Sequence, residues 1–525
     1  MTLPVTEPLK SLEDVLGSAR GFGDSNYIHQ QKQQAYERRL VTIASQLRVA
    51  GELAQALHSA TAMSRDRVVG STVVRCAVQH ALTKLEIGVD CALSLDECKE
   101  VFEAAIAHVE SGLVIDPLQV GMPNAHRLGS AQYHGLIWSE EHDDDVFGRM
   151  FRKLIDENYA APLCVPTADE IHMLQRGARL LSELVPLLAE SALSHARVIA
   201  PFPPVGSWNG RASSSQFRVS GTIFLHRSLL ISPWWVAEHL LHESLHQKLY
   251  DFRHGHSLLS RDYQRPDAPS VCALWNTYDV DRGNYWDVHR VIAACHVYVH
   301  LALLATIAEE RHLELEAEFG KYNDPISTTS SRAALSRARY LAEQLKRACW
   351  TELGLAGQAL TDWLISVLDI LDPAPPPPGA SLHLVLELYR REISLIKAVL
   401  ERSISHESSG SSAYAADQKA LARLAANDAT TAIEILRAAN SGSDAEAIER
   451  ELHSVPGGEF AAFYPTLRER IAAALSDASN DGYTLPHPES RSRNLNDEVR
   501  QMVKSASRSL DMIVRGQIEE VASAT

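Results

Sequence analysis

Two histidines with a glutamate beside the first stand at His242-Glu243-Ser244-Leu245-His246. On a helix, residues i and i+4 share a face about one turn apart, so two imidazoles so placed can grip one metal ion. The same grip serves hydrolysis with zinc and oxidation with iron. His239 joins the stripe at i, i+3, i+7; with no linked glutamate, it is expected to pack beside the pair rather than ligate. A divalent ion needs a third protein ligand, usually from another element. Downstream, His289, His296 and His300 recur at i, i+7 and i+11 and share a second helical face. Two such faces separated by a loop can converge on one ion.

The elements that must carry these residues are legible nearby. Ser232-Pro233 is an N-cap followed by a proline at the first helical position, which predicts a helix from Pro233 to about Tyr250. Phe217 to His226 alternates and is rich in β-formers, so it is the best strand candidate. Arg253 to Tyr285 is polar and loop-like, and a second helix is predicted from about Tyr285 to His312. Helical periodicity covers Ile28 to Ser59, Arg65 to Leu85, Leu95 to Ser111 and Ser330 to Leu371. Thr167-Ala168-Asp169-Glu170 reads as a capping box opening a helix to about Ile199. The acidic run Glu140 to Asp145 reads as a solvated loop. The expected fold is mainly α, a multi-helix enzyme with a small β element before the HExxH helix, and not a cupin-type jelly roll. Asp372 to Gly379, with five prolines, predicts an extended linker. The expected division is therefore an N-terminal helical region at 1–200, a metal-binding core at 201–312, a helical extension at 313–372 and a C-terminal helical region at 380–525.

The whole chain narrows the chemistry. Its 525 residues can bury a large core, and a formal charge of −16 argues against a nucleic-acid partner. Seven scattered cysteines without a C-x-x-C pair predict reduced thiols and a cytoplasmic setting. The N-terminus lacks a basic region followed by an apolar run, and no stretch is expected to span a membrane. In a zinc peptidase Glu243 would be the general base for metal-bound water. The metzincin extension needs Gly at 249 and His at 252, where this chain has Leu249 and Phe252. Glu309 and Glu310, the downstream carboxylates a gluzincin would use, lack the surrounding pattern.

His242 to Leu249 (HESLHQKL) resembles the core of the HExxH-motif peptide-modification family, whose better-understood members are iron(II)- and 2-oxoglutarate-dependent hydroxylases of ribosomally made natural-product (RiPP) peptides. Gly221-Thr222-Ile223-Phe224-Leu225 resembles the short strand before that helix, Trp286 to Arg290 the approach to the second helix, and His296-Val297-Tyr298 its His-bearing core. The similarity covers roughly residues 200 to 312; Val297 stands where the family has glycine, and its Arg-Pro step is Arg290-Val291 here.

The resemblance implies His242, His246 and His296 as ligands of Fe(II), a facial set with positions open to 2-oxoglutarate and dioxygen. The distal carboxylate of 2-oxoglutarate would need an arginine fork; Arg290 is the first choice, with Arg282 and Arg265 as alternatives. Glu243 would then orient a ligand or bound water, or complete the coordination, a role Asp287 could also fill. The implied substrate is a peptide, engaged in part through a leader segment, with no nucleic acid and no membrane.

Overall fold

The computed structural model describes residues 7–111, 126–129, 135–138, 145–276, 284–376, 381–404, 412–438, 442–453, 466–475, 499–510 and 512. Arg282 and the acidic run at 140–144 lie outside them. The architecture is mainly helical, as the periodicity predicts, with a four-stranded sheet and a two-stranded ribbon among the described residues.

The contacts divide the chain into two compact units, one of residues 1–268 and 288–373, the other of residues 269–287 and 374–525. The first unit runs α1 (Glu7–Ser18), α2 (Ser25–Ala44), α3 (Arg48–Ser59), α4 (Ala62–Gly70), α5 (Thr72–Ile87), α6 (Leu95–Glu110), β1 (Leu136–Ile137), α7 (Val146–Tyr159), α8 (Ala168–Leu184) and α9 (Pro186–Leu193). It continues with β2 (Val198–Phe202), β3 (Ser213–Ser215), β4 (Thr222–His226) and α10 (Pro233–Arg253). After the excursion into the second unit come α11 (Val288–Phe319), α12 (Ser331–Arg347) and α13 (Leu355–Leu371). The second unit holds the ribbon β5 (Val271–Cys272) and β6 (Tyr285–Trp286), then α14 (Leu382–Ile404), α15 (Ser412–Ala438), α16 (Gly442–His453) and helical turns at 466–475 and 499–510. So the core region expected at 201–312 sends 269–287 to the C-terminal unit, while the N-terminal region and the 313–372 extension join the remainder.

The sheet order is β1-β2-β4-β3, with β1, β2 and β4 parallel and β3 antiparallel at the edge. The predicted strand from Phe217 is shorter than its alternation suggests. Phe217–Val219 is a 3-10 turn, Gly221 takes φ +91°, and the strand begins at Thr222. A left-handed φ at Gly221 turns the chain into the sheet at little cost because glycine has no Cβ. The helix expected from Thr167 to Ile199 is capped as predicted, with reciprocal Thr167 and Glu170 bonds, but stops at Leu184. Pro186 lacks the N–H an interior helical position needs, so a new helix starts there, and Val198 enters β2.

α10 is the central element. Ser232 caps it by accepting from the Trp235 N–H, and Pro233 opens it. It packs against α8, α9, α2, α11, β3 and β4. Gly177 permits the α8 contact: a Cβ there would lie 2.2 Å from Val236 Cγ1. Leu240, Leu241 and Leu245 are fully buried, each contributing on the order of 2 kcal/mol through its apolar area. α11 corrects one expectation. Among the described helices it is the one long and apolar enough to cross a membrane, and it is 83% buried in that stretch, as a core helix is.

Candidate metal centre

Over residues 233–252 of α10, every side chain is buried except His239, His242 and His246, which are half-buried. Over that stretch the helix is open to solvent only along its histidine stripe. The imidazoles of His242 and His246 lie 5.1 Å apart, ring centre to ring centre, at 65°. Two rings bound to one ion through nitrogens at roughly 2.1 Å sit about 5 Å apart, so the pair has ligand spacing. His239 stacks on Trp235 at 3.9 Å, and its Nδ1 is 3.1 Å from the Trp235 carbonyl oxygen. That bond fixes the tautomer and turns Nε2 away from the backbone.

Burial, then the neighbouring His242, His289 and Arg290, hold His246 neutral, well below the usual histidine value. Burial and His242 push His239 down to about 3. Neutral imidazoles are the form that binds metal. The Nδ1 of His246 is buried without a hydrogen-bond partner, and so is the Nδ1 of His296. Each is a donor or acceptor that an added group would satisfy, and a soft-to-borderline nitrogen set suits zinc or iron. By this measure the His242–His246 pair fits a transition metal.

Glu243 is 3% exposed, yet it is not idle in the core. Its Oε1 accepts from Ser213 Oγ on the edge strand. Tyr159 and Tyr250 lie near it; burial first, with the Glu243 charge adding, raises both phenols above their ordinary value. Tyr250 follows His246 by one turn, and its ring centre is 6.3 Å from that of His246 and 6.2 Å from that of His289.

The second helix contributes differently from its linear pattern. His296 and His300 are 3% and 0% exposed and pack edge to face at 4.4 Å. His300 Nδ1 is 2.7 Å from the His296 carbonyl oxygen. Burial comes first among the causes that keep His296 neutral, followed by His300, Lys248 and then His246. His289 and Arg290, at the start of α11, are half-buried and exposed, and both act on His246. The ligand atoms of His242, His246 and His296 do not all lie within 4.8 Å of one another, so the structure pairs His242 with His246 but does not bring His296 into a compact triad with them; among the described residues the group whose ligand atoms do is His29, His195 and Asp251. Arg265 lies in an exposed turn, and Asp287 belongs to the second unit.

That other group was missed in the sequence, where its members stand 166 and 56 residues apart with no shared motif. Its chemistry is that of an ion-pair hub. Asp251 accepts from Lys32 Nζ at 3.0 Å and from Arg75, and its Oδ2 lies 2.7 Å from His195 Nδ1. A metal ion there would face an ammonium and a guanidinium, and both nitrogens of His29 and of His195 already have partners.

No protein-family model matches the chain, and no curated protein matches it.

Proposed function

We propose that the chain is an iron(II)- and 2-oxoglutarate-dependent oxygenase that hydroxylates an unactivated carbon, the β-carbon of a residue in a peptide, during natural-product biosynthesis. The observation that carries this reading is the half-open histidine stripe of α10, where His242 and His246 stand at ligand spacing with Arg290 acting on His246. His242, His246 and His296 would hold the iron; the unpartnered Nδ1 atoms of His246 and His296 support this. Bound there, iron with 2-oxoglutarate and dioxygen supplies the oxidising power that turns C–H into C–OH while the co-substrate leaves as succinate and carbon dioxide. Arg290 would pair with the distal carboxylate of 2-oxoglutarate, a bidentate match. Glu243, held by Ser213, orients what binds beside the histidines. Seven free cysteines, five of them buried, support a reducing, cytoplasmic setting.

A second reading, a zinc peptidase with Glu243 as general base, is favoured by one observation: the antiparallel edge strand β3 meets the glutamate directly. The experiment is anaerobic loading with iron(II), then measurement of succinate from 2-oxoglutarate with candidate peptides. Succinate formation that falls at least tenfold in Arg290→Ala supports the oxygenase; peptide cleavage by the zinc-loaded protein without 2-oxoglutarate overturns it.

A further inference from the structure

The buried side of α10 is unusually polar just past the HExxH residues. Gln247 accepts from the Gly221 N–H at 2.6 Å and donates to the Thr222 carbonyl at 2.9 Å, fastening the helix to the start of β4. Lys248 donates to the Gly23 carbonyl at 2.8 Å and to Ser191 Oγ at 2.7 Å. Asp251, fully buried, is met from three sides by Lys32 of α2, Arg75 of α5 and His195 before β2. These ties join. Ser191 Oγ is 2.8 Å from Ser25 Oγ, which is 3.1 Å from His195 Nε2, so one hydrogen-bonded chain runs from Lys248 to Asp251 through α9 and α2.

Apolar packing is non-directional, and a helix held by leucines alone can rotate or slide with little penalty. Hydrogen bonds to a carboxylate have narrow geometry and strengthen one another in a low-dielectric interior. Asp251 follows His246 by five residues, about 7.5 Å along the axis, so whatever fixes Asp251 fixes the direction in which His242 and His246 point. We infer that Asp251, with the Ser25–His195 chain that holds it, is a positioning residue for the histidine pair. The claim rests on reading those histidines as metal donors. A hub of this kind stabilises the fold in any case; the added claim is that it sets ligand geometry.

The test uses the full chain and cobalt(II) as probe. Asp251→Asn should keep its helical circular dichroism but bind cobalt(II) at least tenfold more weakly with displaced visible bands, and Asp251→Glu should recover part of the affinity. Unchanged affinity and bands in both variants overturn the inference, leaving the hub a stabiliser only. Should neither fold, Ser25→Ala removes just the hydroxyl between His195 and Ser191; two- to fivefold weaker cobalt(II) binding supports the inference, and wild-type binding overturns it. If the wild-type chain itself takes no cobalt(II), the metal reading falls. Positioning is then judged by amide exchange over residues 242–246: faster exchange in Ser25→Ala supports it, and unchanged exchange overturns it.

Discussion

Ser213 donates a hydrogen bond to Glu243, with 2.5 Å between Oγ and Oε1, so the outermost strand of the sheet holds the carboxylate of the HExxH helix. A carboxylate held this way can orient a neighbour without taking a proton. The two readings of the site then diverge at one substitution. With Glu243→Gln the amide oxygen still accepts from Ser213, and the oxygenase reading expects metal binding to persist and succinate formation to fall about tenfold. A loss of 10³-fold or more in peptide cleavage would instead mark a lost general base. Stopped assays for succinate and for cleaved peptide decide between them.

His242→Ala and His246→Ala should each weaken iron(II) or cobalt(II) binding at least 100-fold. His296→Ala should do the same, whereas His289→Ala should change affinity only a few-fold. Titration calorimetry of the four variants is the measurement. Wild-type affinity in His296→Ala, coupled with loss in His289→Ala, would move the third donor to the start of α11.

The close approach of α8 to α10 gives a purely steric prediction. Gly177→Ala adds a methyl that Val236 already occupies at 2.2 Å. Overpacking of this kind costs roughly 1–3 kcal/mol, to be read as a lower denaturant midpoint. Val236→Ala in the same background should restore part of the loss.

His80 makes stability depend on pH. Its Nδ1 accepts from the Leu93 N–H, and burial pushes the imidazole down to about 4 from 6.5. The unfolded chain therefore binds a proton that the folded chain refuses between those values. The contribution is fully present above about pH 6.5 and is lost as pH falls towards 4. His80→Gln should flatten that part of the stability–pH curve; an unaltered slope in urea unfolding between pH 7 and 4.5 would contradict it.

Much of the frame could be read from residue types. Ser232-Pro233 marks the start of α10, Thr167 and Glu170 cap α8, and periodicity locates α6 and α11. The misplaced parts have physical causes. A stretch such as Val198–Phe202 is apolar without alternation, since both faces of β2 are buried, so its pattern cannot be told from the end of a helix. His242 and His246 are paired by local geometry, and any local pattern finds them. The direction of His296 depends on how α11 rotates against α10 and α12, which spacing along one chain does not encode. The Asp251 hub joins residues from α2, α5, the turn before β2 and α10, and only the tertiary fold brings Lys32, Arg75 and His195 to one carboxylate.

The ribbon β5–β6 lies in sequence between the two histidine-bearing helices but belongs to the C-terminal unit. The backbone therefore passes from one unit to the other three times, between residues 268 and 269, 287 and 288, and 373 and 374. Neither half is a portable cassette. A gene fragment starting at 374 would lack its own ribbon, and one ending at 373 would carry that ribbon as an orphaned insert directly before His289 and Arg290. Any recombination or domain-swapping scheme must move 269–287 together with 374–525, so the two units inherit change as a pair.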